Sequence, residues 1–326
     1  MKIIGIGNAL VDIMTELKDE TILEKYKLPK GSMTLVDAKL SGKMNSETSG
    51  LRKTMTSGGS AANTIHGLAR LGIESAYVGK IGNDDLGRFF LKDMEIAGIY
   101  PILYQSFTET GRVMAYVSPD SERTMATCLG AAIELSADDI VPGIFNGHDY
   151  LYIEGYLINN HKLFAKAIQM GKENGLKVCV DLASFTVVDQ YRDVLQSDIQ
   201  QVDIIFANEE EARSLTGLAP DDALKALAES CEIAVVKIGA EGSLIKKGNE
   251  AVHVPAPRVK SIDTTGAGDI YAAGFLYGLA HSLDLEKSGM IGTLLASRVI
   301  QVMGPKLPEE VWREVVGEIG AVARRQ

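Results

Sequence analysis

The 326-residue sequence predicts a three-layer α/β domain with a mostly parallel central sheet and a small β-rich lid over the ends of its strands. Three observations predict it. Short apolar runs alternate with longer amphipathic segments, the pattern of βαβ units whose strands are buried on both faces. Two stretches, about 11–45 and 99–123, break that rhythm with alternating runs such as Arg112-Val113-Met114-Ala115-Tyr116-Val117, which suit antiparallel strands with one solvated face. Finally, no repeat, low-complexity tract or Pro/Gly/Ser linker divides the chain, so the lid is expected to grow out of the main domain without a tether.

The strands are expected at residues 3–7, 75–79, 150–153, 177–181, 203–207 and 233–238, each a short apolar run. The helices are expected at 61–71, 86–97, 162–174, 221–230, 267–281 and 285–302. Residues 1–10, 46–98 and 124–326 then form the large domain, with 11–45 and 99–123 as two insertions that meet in space as the lid. Ligands of such folds collect at the carboxyl ends of the strands, which is where chemistry is to be sought.

Composition narrows the function. Hydrophobic residues at 46% and charged residues at 23% describe a compact globular protein and exclude disorder. A formal charge of −10 opposes nonspecific attraction to nucleic acid or anionic membrane, although a locally basic pocket for an anion is compatible with it. Cys128, Cys179 and Cys231 leave one unpaired in any disulfide scheme and lack zinc-ligand spacing, so buried reduced thiols are expected. The opening run Ile3-Ile4-Gly5-Ile6-Gly7 is too short for a secretory signal, and no stretch approaches the ~18 apolar residues of a membrane span. A cytoplasmic location is the resulting expectation.

The strongest chemical signal is Asp263-Thr264-Thr265-Gly266-Ala267-Gly268-Asp269, which runs into an apolar segment from Ile270 onward. Small residues let successive backbone N–H groups point into one concavity, and the following helix adds the positive end of its dipole, making an anion hole. A carboxylate there repels phosphate. As a general base, however, Asp269 must lie near both the attacking hydroxyl and the phosphoryl group. The same residues also suit an ordinary helix start, with a Thr cap, a glycine turn and an acid in the first turn.

Four further motifs accompany it. Ser57-Gly58-Gly59-Ser60-Ala61-Ala62-Asn63-Thr64 opens a helix. Its glycines permit close approach to a ligand and Asn63 offers a donor and an acceptor, or the motif is a tight turn with a polar cap. Gly7-Asn8-Ala9-Leu10-Val11-Asp12 follows the first strand. Leu10 stands where a dinucleotide fingerprint needs its third glycine, which argues against a nicotinamide enzyme, and Asp12 either accepts bonds from vicinal hydroxyls or caps a loop. In Asn208-Glu209-Glu210-Glu211 the acids form a solvated first helical turn or hold magnesium or water. Gly239-Ala240-Glu241-Gly242-Ser243 frames a nucleotide or closes a hairpin. His66, His148, His161, His253 and His281 have no metal-ligand spacing and form no obvious triad, and neither the Gly-x-x-x-x-Gly-Lys-Ser/Thr phosphate loop nor the protein-kinase motifs occur.

Together, Gly58-Gly59-Ser60-Ala61-Ala62-Asn63 and Asp263-Thr264-Thr265-Gly266-Ala267-Gly268-Asp269, in this order and at this separation, resemble the two signatures of the PfkB or ribokinase-like carbohydrate kinases, and the likeness covers nearly the whole chain. The resemblance implies a ribokinase-like fold with a β-sheet lid, Asp269 as catalytic base, and an anion hole at Gly266, Ala267 and Gly268. It places substrate hydroxyls at Asp12, Gly58, Gly59 and Asn63, and the nucleotide at Asn208, Lys237, Gly239, Gly242, Thr264, Gly266 and Gly268. Asn208 and Glu211 match the family's Asn-x-x-Glu element for magnesium and phosphate placement, while part of the family takes a monovalent cation such as K+ near Asp263. Glu122-Arg123-Thr124-Met125-Ala126-Thr127 looks like the adenosine-kinase branch, whose arginine reaches the transferred phosphate. Tyr156 and Phe185 fall where that branch keeps aromatic groups against the purine.

The expected activity is therefore transfer of the ATP γ-phosphoryl group, with Mg2+, to a primary hydroxyl of a purine nucleoside such as adenosine. The alternatives are a kinase for ribose, fructose or 2-keto-3-deoxygluconate and, in another class, a ligand-binding regulator without turnover. The intact Asp269 and glycine run stand against the regulator. An exposed apolar lid edge would favour a homodimer formed through the lid, as the resemblance implies for some relatives.

Overall fold

The computed structural model describes residues 1–120 and 122–324. Ser121, inside the expected lid, and Arg325 and Gln326, inside the expected large domain, lie outside the described residues. Among the described residues fourteen strands are present: β1 (Lys2–Ile6), β2 (Leu10–Glu16), β3 (Met33–Leu35), β4 (Lys53–Gly58), β5 (Glu74–Gly82), β6 (Ile99–Ser106), β7 (Gly111–Val117), β8 (Arg123–Cys128), β9 (Tyr150–Glu154), β10 (Lys177–Asp181), β11 (Ile204–Asn208), β12 (Ile233–Lys237), β13 (Ser243–Lys247) and β14 (Glu250–Val254). Nine of them form a sheet in the order β14-β13-β12-β11-β10-β9-β1-β5-β6. The run from β12 to β6 is parallel throughout, and β13 and β14 add an antiparallel hairpin at one edge.

The parallel strands read as continuous apolar runs because helices cover both sheet faces, each over its own buried cluster. All six expected strands and all six expected helices are found within a few residues of their expected limits. The helix Ala267–Ala280 shows little amphipathic periodicity because it is buried on most sides, against the helices Leu285–Val299 and Ser60–Arg70. Glycines allow that depth. A Cβ on Gly274 would fall 2.8 Å from the Gly292 Cα, and one on Gly67 would fall 2.6 Å from Ile270 Cδ1.

A second sheet of five strands runs β3-β8-β7-β2-β4. It differs from the expected lid in three ways. The segment β6 belongs to the large sheet, paired parallel to β5, and reads like a lid strand because it is an edge strand with a half-exposed face. Conversely β4 and the whole of β8 join the small sheet; the sequence of β4, Lys-Thr-Met-Thr-Ser-Gly, has too little apolar character to announce a strand. The small sheet is also mixed, since β2–β7 and β3–β8 pair parallel while β2–β4 and β7–β8 pair antiparallel. Two short connections join it to the body beside the motifs, through Gly7-Asn8-Ala9 into β2 and from β4 through Gly59 into the helix Ser60–Arg70.

Candidate active site

The carboxyl ends of β1 and β9 to β12 open, facing the small sheet, into a cavity of about 1540 Å3. Its floor is organised by Glu154 at the end of β9. This buried carboxylate accepts from Asn8 N at 3.0 Å, Asn8 Nδ2 at 2.5 Å and Ala61 N at 3.0 Å, tying two of the motifs together. Burial raises its pKa to about 7 against the pull of those bonds. Gly59 has φ +100, and a Cβ there would lie 2.1 Å from the Asn8 carbonyl oxygen, so only glycine brings these segments so close.

That closeness delivers Ser60 and Asn63 to Asp269. Asp269 lies in the first turn of the helix Ala267–Ala280, behind Gly266 at φ +75. Its Oδ1 accepts from Ser60 Oγ at 2.7 Å and its Oδ2 from Asn63 Nδ2 at 2.9 Å, while its backbone oxygen accepts from Thr64 Oγ1 at 3.1 Å. Loss of solvent raises its pKa to about 6, Asp181 adds repulsion, and the two side-chain bonds and Lys237 oppose the rise. A carboxylate that is ionised at neutral pH yet more basic than usual, at a helix N-terminus, suits proton removal from a hydroxyl beside a bound anion.

Lys237, at the end of β12, points its ammonium to the same place. Nζ donates to Asp181 Oδ2 at 2.8 Å, and a Cβ on Gly268 would come within 3.0 Å of it. Burial works against the Lys237 charge, but Asp181, Glu211 and Asp269 outweigh it and its pKa is raised. Asp181 also accepts from Ala183 N at 3.0 Å, with Ala183 held at φ +65. Asn208 and Glu211 form a reciprocal cap on the helix Glu209–Thr216: Asn208 Oδ1 accepts from Glu211 N, and Glu211 accepts from Asn208 N and Nδ2, each at 2.8 Å. Burial lifts Glu211 to about 7, with Lys237 opposing and Asp181 and Asp269 adding to the rise. Among the described residues no group of three His, Cys, Asp or Glu could cage a metal. Three carboxylates facing one lysine nevertheless leave surplus negative charge and hard oxygen donors, which fits a magnesium ion that arrives with the phosphates of a nucleotide.

Opposite, Asp12 and Asn63 present acceptors. Asn63 Oδ1 is buried without a hydrogen-bond partner among the described residues. The Asp12 carboxylate is 9% exposed; burial raises its pKa to about 6, Arg123 and Lys306 oppose the rise, and Asp263 adds to it. Arg123 lines the cavity and pairs with Asp263, and its Nε has no partner among the described residues. The Asp263 carboxylate is further met by Thr265 N at 3.0 Å and Gly304 N at 2.8 Å, so a guanidinium and two amides hold the group at which a monovalent cation was expected.

Of the expected site residues, Asp12, Gly59, Asn63, Arg123, Tyr156, Asn208, Glu211, Lys237, Gly239, Thr264, Gly266, Ala267, Gly268 and Asp269 line this one cavity. Gly58, Phe185, Gly242 and Asp263 do not. Gly58 is needed because a Cβ would fall 2.5 Å from Asp12 Oδ2. Phe185 opens the helix Phe185–Gln190 and is 45% exposed, while its neighbours Ser184, Thr186 and Val187 face the cavity, so the expected Tyr156–Phe185 clamp is not formed. Gly242 turns the chain into β13 at φ +103, with its would-be Cβ 1.9 Å from the Val254 carbonyl oxygen, a requirement of the hairpin. In place of the clamp, Met33, Leu35, Val113 and Met125 of the small sheet, with Leu129 and Ile133, make an apolar wall beside Asp12. Sequence reasoning gave no role to Glu154, Asp181, Lys306 or Ser60, although Ser60 lies within a quoted motif. Glu154 and Asp181 carry a signal, a single acid closing an apolar strand, whereas Lys306 carries none.

A buried carboxylate of raised pKa in the first turn of a helix, in a cavity roofed by a small sheet, has the make-up of a phosphotransferase that acts on an alcohol. The model of the pfkB family carbohydrate kinases matches residues 33–312, and the chain belongs to that family. It is 30% identical to the adenosine kinase of Saccharomyces cerevisiae over 94% of this chain and 97% of that protein. It is also 30% identical to an uncharacterized sugar kinase of Archaeoglobus fulgidus over 75% of this chain and 99% of that protein. The crystal structure of adenosine kinase from Sinorhizobium meliloti superposes with a TM-score of 0.87 at 34% identity, covering 97% of this chain and 99% of that one. A probable sugar kinase from Rhizobium etli superposes with the same TM-score and identity, covering 98% of both chains. The protein is thus an ATP-dependent nucleoside or sugar kinase of the adenosine-kinase-like branch, with a ribokinase fold. Among the described residues no helix is long and apolar enough to cross a membrane.

Proposed function

We propose that the chain phosphorylates the 5′-hydroxyl of a purine nucleoside of the adenosine type. The observation that carries this reading is the apolar wall next to Asp12. Leu35 is 63% exposed, Ile133 61% and Met33 46%, an arrangement that leaves large hydrophobic side chains in water until a flat, weakly polar group covers them. A free sugar has no such group. A nucleoside whose ribose hydroxyls bond to Asp12 and Asn63 lays its base there. The names of the relatives support both nucleosides and sugars, and the wall favours the nucleoside.

In this reading Asp269 takes the proton of the attacking hydroxyl, held for that task by Ser60 and Asn63. Backbone N–H groups at Gly266 and Gly268, together with Lys237 and Arg123, meet the charge of the transferred group, whereas Ala267 N, an expected member of the anion hole, donates to the Thr264 carbonyl oxygen at 3.2 Å. Gly239 and Thr264 border the nucleotide. Asn208 and Glu211 would hold the magnesium ion, which when bound neutralises phosphate charge. The small sheet acts as a lid that excludes water from the transfer. Asp269→Asn keeps both hydrogen-bond partners within reach and removes the base, so kcat is expected to fall about 10²–10⁴-fold with the Kd for ATP nearly unchanged. Near-normal turnover by that variant would falsify the assignment.

A further inference from the structure

Asp181, Glu211 and Asp269 stand around the Lys237 ammonium, but their oxygens are committed differently. Both oxygens of Glu211 accept from Asn208, one from its N and the other from its Nδ2, each at 2.8 Å. Those of Asp269 accept from Ser60 and Asn63. Among the described residues Asp181 alone pairs with Lys237, through Oδ2 at 2.8 Å, and both side chains of that pair are largely closed to solvent.

The backbone fixes this pair from both ends. Asp181 is the last residue of β10 and Lys237 the last of β12, with β11 between them, so the contact reaches across the end of one strand. Leu182 N donates to the Phe206 carbonyl oxygen of β11 at 2.9 Å, and Ser184 N donates to the Leu182 carbonyl oxygen at 2.8 Å. Between them Ala183 sits at φ +65, a left-handed conformation that a residue with a Cβ rarely adopts, and its N donates to Asp181 Oδ1 at 3.0 Å. One carboxylate oxygen is thus fixed by the turn and the other faces the lysine. On its far side the ammonium rests over Gly268, where a Cβ would lie 3.0 Å from Nζ, so the missing side chain is what admits it. Gly268 and Asp269 are the second and third residues of the helix Ala267–Ala280.

We propose that Asp181 is a positioning residue for phosphoryl transfer: its carboxylate, locked by the left-handed turn at Ala183, holds the Lys237 ammonium at the helix N-terminus beside Asp269, where the transferred group passes. The inference rests on the reading of Lys237 as a cation that meets that group. A lysine is a point charge on a flexible four-carbon stem, and without Asp181 it is free to turn to Glu211 or to the base itself. The competing role is a staple that joins the ends of β10 and β12 and has no part in transfer.

The two roles separate in a double-mutant cycle of the full chain, read as kcat and the KM for ATP, with Mg2+ and whichever of adenosine and ribose the parent protein turns over. Asp181→Asn keeps the shape and an acceptor for Ala183 N but removes the charge that grips the ammonium. It is expected to lower kcat about tenfold and to move the KM for ATP less than about twofold. Lys237→Met is expected to lower kcat about a hundredfold. In that background the asparagine has no ammonium to release, so kcat should not fall further. Asp181→Glu, which keeps the charge and displaces it by one methylene, runs the same cycle if the asparagine variant is unstable, with a loss of about threefold that again vanishes beside Lys237→Met. An unchanged kcat in Asp181→Asn, whatever its Tm, overturns the proposal, as does a loss that multiplies with that of Lys237→Met. If Lys237→Met alone leaves kcat near the parent value, Lys237 does not meet the transferred group and the proposal falls with that reading.

Discussion

Ser60 and Asn63 each give the Asp269 carboxylate one hydrogen bond, and the Ser60 bond, at 2.7 Å, is the shorter. Replacing Ser60 with alanine removes a donor to the ionised form alone, so the proton affinity of Asp269 must rise. Hydrogen bonds to charged groups contribute ~1.5–3 kcal/mol, and 1.36 kcal/mol corresponds to one pH unit, so a rise of about one unit is the smaller end of that range. Asp269 titrates at about 6 in the parent protein. With a pKa near 7 in the variant, the ionised fraction falls from ~0.9 to ~0.5 at pH 7 and from ~0.24 to ~0.03 at pH 5.5, and it is nearly the same at pH 8.5. The kcat/KM for adenosine, followed as coupled ADP release, should therefore drop about twofold at pH 7 and about eightfold at pH 5.5, and converge with the parent at pH 8.5. Ser60→Thr should restore the acid limb. A loss of equal size at every pH, with the acid limb unmoved, would mean that Ser60 acts on geometry alone and that Asp269 is not the titrating base.

Other perturbations read separate parts of the structure. Leu35→Asn places an amide on the exposed wall; at ~25 cal/mol per Å2, losing about 40 Å2 of apolar contact with a base is worth ~1 kcal/mol, so the adenosine KM should rise about fivefold. Its melting temperature should not change, because Leu35 is already exposed in the free protein; a lowered Tm with an unchanged KM would assign the wall to folding instead. Gly242→Ala forces a side chain onto a backbone at φ +103 and into the Val254 carbonyl, a strain of about 1–3 kcal/mol or more. It should lower Tm by several degrees and leave the KM for ATP near the parent value, and a raised ATP KM without loss of stability would restore Gly242 to the nucleotide site.

The layered body was legible because buried parallel strands are apolar throughout and their helices amphipathic; β9 and β10 announce themselves as Tyr-Leu-Tyr-Ile and Lys-Val-Cys-Val. Edge strands were not. β6 lies at the border of the large sheet with a partly exposed face and so mimics a strand of the small one, while β4 exposes most of its side chains and has no apolar signature. The site was legible where backbone geometry constrains composition, as in the glycines around Asp269 and Gly59. It was not where charges converge from distant segments. Lys306 meets Asp93 and Ser57 across 213 and 249 residues, and no spacing rule spans such gaps. Phe185 shows the reverse error: a position that matches the branch's aromatic groups does not fix on which side of a helix start the ring emerges.

The central claim is that this site takes a nucleoside because hydroxyl acceptors and an apolar wall stand side by side. The most direct test is the ratio of kcat/KM for adenosine to that for free ribose, with ATP and Mg2+, read as ADP release. Covering about 60 Å2 of base at ~25 cal/mol per Å2 gives ~1.5 kcal/mol, so adenosine should be favoured by roughly tenfold or more. Equal or greater turnover of ribose would contradict the nucleoside reading and leave a sugar kinase built around the same Asp269.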